Sequence, residues 1–246
     1  MEWRSQDDVE WLEAELPRAR VAFSTRIGGV SEGPYESLNL GYLTDDDRDL
    51  VIENRRRLAA ALGIEPESVL IGRQVHEAEL AVHLEPQRPS PFASPGAPLA
   101  EVDGQVALEA GVAPLVFTAD CLPVALAGPA GVAMLHCGWR GLAAGIIGRG
   151  VEAIAATDAV IGPGIGPCCY EVGEDVLGAF AAIGIDMPGP TLDLTDVTRR
   201  MLAAAGVERV EAAELCTSCE EERFYSHRRD AGSTGRQAGL VWIEEG

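Results

Sequence analysis

The sequence predicts an α/β fold. Short apolar runs alternate with stretches of helical apolar spacing, and glycine- and proline-rich turns separate them. The chain of 246 residues is 47% hydrophobic, enough to bury a substantial core in one domain, taken here as residues 1–246. In order along the chain, Val21-Ala22-Phe23-Ser24-Thr25 reads as a strand, and Arg26 to Ser31 turns away from it. Asp45 to Asp49 supplies an acidic helix start, and Leu50, Ile52, Leu58, Ala59 and Leu62 give helical spacing up to Gly63. Val69-Leu70-Ile71 and Ala81-Val82-His83-Leu84 read as strands. Glu85 to Leu99 carries five prolines and reads as an exposed irregular loop. Val102 to Ala107, Pro114 to Thr118 and Val132 to Leu135 are further strands. Leu142 to Ala156, apolar throughout, predicts a largely buried helix. A strand then runs into the loop Ile161-Gly162-Pro163-Gly164-Ile165-Gly166-Pro167. That loop lacks the spacing of either glycine-rich phosphate motif, so it carries little nucleotide signal. Helices over Glu174 to Ile183 and Thr195 to Ala205 and a strand over Gly239 to Ile243 complete the pattern.

Charge narrows the function classes. Lys and Arg number 19 against 39 Asp and Glu, a formal charge of −20, which repels phosphate backbones and anionic lipid heads. Nucleic acid and membrane surfaces are therefore not expected as partners. The first eight residues are polar and acidic where a secretory leader has a basic start and an apolar run, so a cytoplasmic protein is expected. Gly111 to Leu135 is long and apolar, but Pro114, Pro123, Pro129 and Asp120 interrupt it, and it reads as two buried strands.

The chemistry is expected at three strand ends: Gln74-Val75-His76, Ala119-Asp120-Cys121 and Leu135-His136-Cys137. Imidazole and thiolate suit zinc or copper, and three protein ligands with an open fourth position is the usual plan of a catalytic zinc. Six cysteines in a chain without an export signal read as reduced thiols, Cys168 and Cys169 being adjacent. Cys216-Thr217-Ser218-Cys219 has CxxC spacing, but no second CxxC or His pair stands near it in sequence. It reads as two small buried residues at a turn, a metal or redox site being the alternative. His83 alternates with apolar neighbours and reads as structural, and His227 beside two arginines has a weak claim on the site. Trp139 suits either a stacking wall of a pocket or a core anchor.

Seven blocks occurring in order carry a resemblance. They are Thr25 to Ser31, Ser37 to Gly41, Gln74 to His76, Thr118 to Pro123, His136 to Gly141, Ile161-Gly162-Pro163 with Cys168-Cys169-Tyr170, and Phe224 to Asp230. From about Val21 to Ile243 the chain resembles the bacterial purine nucleoside phosphorylase family once called the multicopper polyphenol oxidase or laccase-domain family. The resemblance implies a single α/β domain with a central mixed sheet sandwiched by helices, similar to a cysteine-hydrolase-like layered sandwich. It implies zinc on His76, Cys121 and His136, with copper as the other candidate. It also implies phosphorolysis of adenosine, inosine and S-methyl-5'-thioadenosine to free base and ribose 1-phosphate, with adenosine deamination alongside. The chain departs from the family at Glu77, where glycine is usual, at Cys137, where alanine is usual, and near Thr198, where asparagine is common.

That activity needs small-molecule purine nucleosides and a site for a phosphate dianion. Arg26, Arg55, Arg140, Arg228 and Arg229 are the candidates, several lying in the recognised blocks. Asp120 beside Cys121 is expected to orient a ligand histidine or act as a base, or else to cap a turn. His76, Cys121, His136 and Asp120 are thus the catalytic set. Two other enzymes remain open. A phenol oxidase of the laccase type needs several coppers and many imidazoles, and the chain has four histidines. A cysteine hydrolase would use Cys121 as nucleophile and His136 as base, and the resemblance implies peptidoglycan precursors as its substrate.

Overall fold

The structure is a computed structural model and describes residues 1–186 and 189–244. The strands are β1 (Glu2–Gln6), β2 (Val9–Leu16), β3 (Ala19–Ser24), β4 (Val69–Leu70), β5 (Leu80–His83), β6 (Gly104–Ala107), β7 (Ala113–Thr118), β8 (Leu122–Gly128), β9 (Gly131–Cys137), β10 (Asp158–Ile161), β11 (Arg209–Ala212) and β12 (Gln237–Ile243). The α-helices are α1 (Arg48–Leu62), α2 (Trp139–Ala143), α3 (Ile146–Ile154), α4 (Glu174–Ala182) and α5 (Leu194–Ala204). The α/β class is borne out. The layers differ from a single central sheet, because the strands form two six-stranded mixed sheets, β1-β2-β3-β12-β7-β4 and β11-β10-β8-β9-β6-β5.

Side-chain alternation explains the layering. In β3, Val21 and Phe23 point to one face and Ala22 to the other. In β8, Ala125 and Ala127 point one way and Val124 and Leu126 the other. Val21, Phe23, Val116 and Val241 meet Ala125, Ala127, Val132 and Met134 between the sheets. Ala22, Leu115 and Leu240 pack outward on Leu58, Ala61 and Leu62 of α1. Val124, Leu126, Leu135 and Ile161 pack outward on Ile146, Ile147 and Ile154 of α3, with Phe180 and Leu202. Strands covered on both faces read as continuous apolar runs, which is why their periodicity is hidden in the sequence. Gly150 lets α3 sit close to its sheet, since a Cβ there would lie 2.7 Å from Leu135 Cδ1.

Four sequence expectations are revised. Gly111 to Leu135 holds three strands' worth of chain rather than two, β7, β8 and most of β9, because Pro123 is accommodated at the start of β8. The helix expected over Leu142 to Ala156 is broken into α2 and α3 at Gly145, which adopts φ 88°. The N-terminal hairpin β1–β2 and the strand β11 go unpredicted. Strand β1 is exposed at every residue and exists only by pairing with β2. The proline-rich loop is irregular as expected but is not wholly exposed, for Ser90, Pro91 and Phe92 are buried. Arg55 is the reason. Its Nε donates to Leu40 O (2.9 Å), and its Nη1 donates to Pro91 O and Phe92 O (3.2 and 3.1 Å). Arg55→Ala is expected to leave these carbonyls unpaired and cost about 2–4 kcal/mol of stability, read by denaturant unfolding. An unchanged midpoint would refute this anchoring role.

Candidate metal centre and binding pocket

The site forms where the chain crosses from one sheet to the other. Thr118 ends β7 in the first sheet and Leu122 begins β8 in the second, so Ala119-Asp120-Cys121 must turn sharply between them. Asp120 takes φ 93°. The pairing of Leu122 with Cys137 and of Pro123 with His136 brings the end of β9 alongside this turn. The loop after β4 delivers His76. Gln74 fixes that loop to β7 by accepting from Phe117 N (2.8 Å) and donating to Phe117 O (2.7 Å).

One carboxylate organises the donors. Asp103, fully buried ahead of β6, accepts from three successive backbone amides, Val75, His76 and Glu77, at 3.0, 2.9 and 2.9 Å. Three amides converging on one anion make a nest, and His76 reaches it with φ 63°. Asp103 also meets His136 Nδ1 at 2.8 Å, which leaves Nε2 as the nitrogen available for ligation. The histidine-orienting carboxylate is therefore Asp103 and not Asp120. Asp120 accepts from Thr217 Oγ1 and from Arg228 N, each at 2.7 Å, which makes it a clasp for the crossover turn. The signal for Asp103 was legible as an acid inside an apolar strand, since a buried carboxylate needs partners.

His76, Cys121 and His136 each offer a ligand atom, and these atoms all lie within 4.8 Å of one another. The two imidazoles stand edge to face with centroids 4.8 Å apart. Gly138 closes over them, because a Cβ there would sit 2.8 Å from Cys121 Sγ. Burial disfavours a thiolate at Cys121, but the charge of His136 and hydrogen bonds from both histidines outweigh it and bring the thiol down to about 6. Burial likewise disfavours charge on His136, but the Cys121 thiolate and Asp103 outweigh it and raise the imidazole to about 9. Asp103 is held low: burial opposes its charge, and His136 with the nest amides overcomes it. One thiolate and two imidazoles with an orienting carboxylate fit a zinc or copper ion with an open position.

A pH dependence follows. Between pH about 6 and about 9 the metal-free pair is thiolate and imidazolium, so metal capture must displace one proton; below about 6 it must displace two. Metal affinity is expected to fall as pH drops from about 9 to about 6 and to fall more steeply below about 6. Chelator competition at several pH values checks this, and a flat profile through pH 6 would contradict it.

These residues line a cavity of about 580 Å³. Phe117, Trp139 and Tyr170 give it flat apolar walls, and Arg55, Arg140, Arg228, Arg236 and His227 also face it. Arg140 rests on the Trp139 ring at 4.4 Å, and Arg228 on Tyr170 at 5.1 Å. Thr118 Oγ1 is buried at the wall without a hydrogen-bond partner. Of the five arginines expected to bind phosphate, Arg55, Arg140 and Arg228 line the cavity. Arg26 and Arg229 do not. Arg26 donates to Glu36 O and Glu221 O and stacks on Tyr225, while Arg229 pairs with Asp230 and donates to Thr217 O and Phe224 O. Both are occupied in holding loops. Arg236 was missed by sequence reasoning, because nothing in its spacing marks it.

The remaining expectations resolve from contacts. Trp139 is both core anchor and pocket wall. His83 is structural, its Nε2 lying 2.8 Å from Gln105 Oε1. Cys137 is a packed core residue, its thiol pushed up by burial. Glu77 is exposed and Thr198 is buried, and neither lines the cavity. Cys216 and Cys219 are not two buried turn residues: the first is half-buried, the second exposed, and Cys168 and Cys169 come within reach of both.

The fold and site together define an α/β protein of two packed sheets with a Cys–His–His cluster that could hold a metal ion beneath an aromatic-walled pocket. Residues 20–244 match the family described as multi-copper polyphenol oxidoreductase laccase, and the chain belongs to it. It is 38% identical to the purine nucleoside phosphorylase YlmD of Geobacillus stearothermophilus, over 98% of this chain and 97% of that one. It is 39% identical to the purine nucleoside phosphorylase YfiH of Escherichia coli, over 89% and 92%. The crystal structure of YlmD from Geobacillus stearothermophilus superposes with a TM-score of 0.90 at 36% identity, covering 99% of each chain.

Proposed function

We propose that this chain is a zinc-dependent purine nucleoside phosphorylase. It takes adenosine, inosine and S-methyl-5'-thioadenosine to the free base and a ribose 1-phosphate, and it also deaminates adenosine. The observation that carries this reading is the convergence of the His76, Cys121 and His136 donors with Arg140, Arg228 and Arg236 on one aromatic-walled cavity. The relatives' names support the phosphorylase part of this reading.

The chain's own residues supply most of what phosphorolysis needs. A purine is a flat apolar ring with polar edges, and Phe117, Trp139 and Tyr170 offer faces to it. Burial, first, and the nearby Cys121 charge push the Tyr170 phenol up to about 12, so it stays a neutral donor at neutral pH. A phosphate dianion needs local cations in a chain of −20, and Arg140 has no carboxylate partner among the described residues. His76, Cys121 and His136 would hold the zinc, which when bound polarises an oxygen ligand or lowers the pKa of bound water. His227, exposed at the rim, is positioned to move a proton to a leaving base. Four histidines, one of them in β5 and away from the cavity, do not suit the several coppers of a laccase.

A second reading has its own observation. Cys121, His136 and Asp103 line up as nucleophile, base and orienting acid, the plan of a cysteine hydrolase, for which the family resemblance implies a cell-wall peptide precursor. Metal separates the two, because a thiolate held on zinc is not free to attack. The test is chromatographic: zinc-loaded protein with adenosine, with and without phosphate. Phosphate-dependent adenine supports phosphorolysis, inosine without phosphate supports deamination, and no turnover of nucleosides overturns both. Arg140→Ala is expected to raise the KM for phosphate about tenfold or more with a smaller change in that for nucleoside. A selective rise in the nucleoside KM would assign Arg140 to the other substrate.

A further inference from the structure

Away from the His76–Cys121–His136 triad, four more cysteines converge. We propose that Cys168, Cys169, Cys216 and Cys219 form a second metal site, a four-thiolate structural zinc that clamps the wall of the binding pocket.

The geometry is that of a tetrahedral thiolate cage. All four sulfurs lie within 4.8 Å of one another, with Cys168 and Cys219 at 3.6 Å and Cys169 and Cys219 at 3.4 Å. A zinc–sulfur bond of about 2.3 Å sets the ligand sulfurs of a tetrahedron about 3.8 Å apart. All four are free thiols, and these separations are those of shared ligation. The backbone is arranged to suit. Cys169 N and Tyr170 N both donate to Gly166 O, at 3.0 Å each, and Cys219 N and Glu220 N donate to Cys216 O at 3.1 and 3.0 Å. Two matching turns thus present their cysteines to a common point. Gly166 N donates to Cys216 Sγ at 3.2 Å, the amide-to-sulfur bond that supports a metal-bound thiolate. A CxxC pair alone is half a site, and the adjacent pair from the loop after β10 completes it.

The position gives the site a purpose. Gly164 N donates to Leu215 O and Thr217 N to Gly164 O, so the two cysteine loops are already laced together. Both loops hold Asp120, through Ile165 N to its carbonyl at 2.8 Å and Thr217 Oγ1 to its carboxylate at 2.7 Å. Asp120 is next to Cys121, and Ile165 and Tyr170 line the cavity. The clamp therefore fixes the turn that carries Cys121. Four thiolates favour zinc over magnesium or calcium, and a d10 ion without redox chemistry suits a structural role.

The experiment is metal analysis of reduced full-length protein and of two variants. Unaltered protein is expected to hold two zinc ions per chain, Cys121→Ala one, and Cys216→Ser with Cys219→Ser one. If the double variant does not fold, the Cys121→Ala protein loaded with cobalt decides alone. It is expected to show the tetrahedral cobalt bands and strong sulfur charge transfer of a four-thiolate site, and a lower Tm when a chelator strips the metal. One zinc in unaltered protein with none in Cys121→Ala, or a disulfide among these four cysteines in reduced, zinc-replete protein, would overturn the proposal. Neither result depends on nucleoside turnover.

Discussion

Cys121→Ala is expected to lower phosphate-dependent adenine release by about a thousandfold or more and to remove one metal ion per chain. The thiolate is the only charged donor of the triad, and two imidazoles of which His76 is exposed are a weak remainder. Loss of metal withdraws several kcal/mol of charge stabilisation from the transition state, and each 1.36 kcal/mol is about tenfold in rate. Cys121→Ser distinguishes the readings. A serine hydroxyl stays protonated at neutral pH and is a poor zinc ligand, so metal and activity should fall together and recover in part with excess zinc. A Cys121→Ala protein that keeps full metal and full phosphorolysis would sink the assignment. Activity that survives complete metal removal and is blocked by a thiol alkylator would instead favour the cysteine hydrolase.

The second large effect is expected at Asp103, which touches no substrate. Asp103→Ala deprives three backbone amides and one imidazole of a shared partner, at a carboxylate with no exposure. A loss of about 3–5 kcal/mol of stability is expected by denaturant unfolding, the scale of breaking a buried charged pair. Metal affinity should fall about 10–100-fold, since the carboxylate that orients His136 is gone. Asp103→Asn separates the two roles. It keeps an acceptor for the nest and should restore part of the stability, while its lost charge leaves His136 less basic and the metal still weakened. If both variants bound metal as tightly as the unaltered protein, Asp103 would be a loop staple only.

The difference between what was legible and what was not has a physical cause in each case. Helix α1 was legible because its signals are local: Asp47 caps it by accepting from Asp49 N, and Gly63 ends it with φ 68°. The buried strands were legible as apolar runs, but which sheet each joined was not. Val116 and Ala125 look alike in sequence, yet they face each other from different sheets. The break at Gly145 was hidden because a helical apolar pattern continues across it. The cationic candidates show the same limit. Arg26 and Arg229 stand in recognisable blocks, but their guanidinium groups are already engaged with carbonyls, with Asp230 and with the Tyr225 ring. Arg236 is unremarkable in the chain and faces the cavity because β12 begins one residue later.

Residue type and short-range pattern were enough to bring out the α/β class, the family and the three candidate donors His76, Cys121 and His136. The tertiary structure alone decided the rest. Two sheets rather than one, a crossover turn that carries Cys121, and the choice of Asp103 over Asp120 all depend on contacts between residues far apart in the chain. The four cysteines are the clearest case. Cys168-Cys169 and Cys216-Thr217-Ser218-Cys219 are about fifty residues apart, and only the parallel pairing of β10 with β11 brings the loops that follow them together. Long-range pairing leaves no mark on local spacing, so chemistry built from it becomes visible only when the chain is folded.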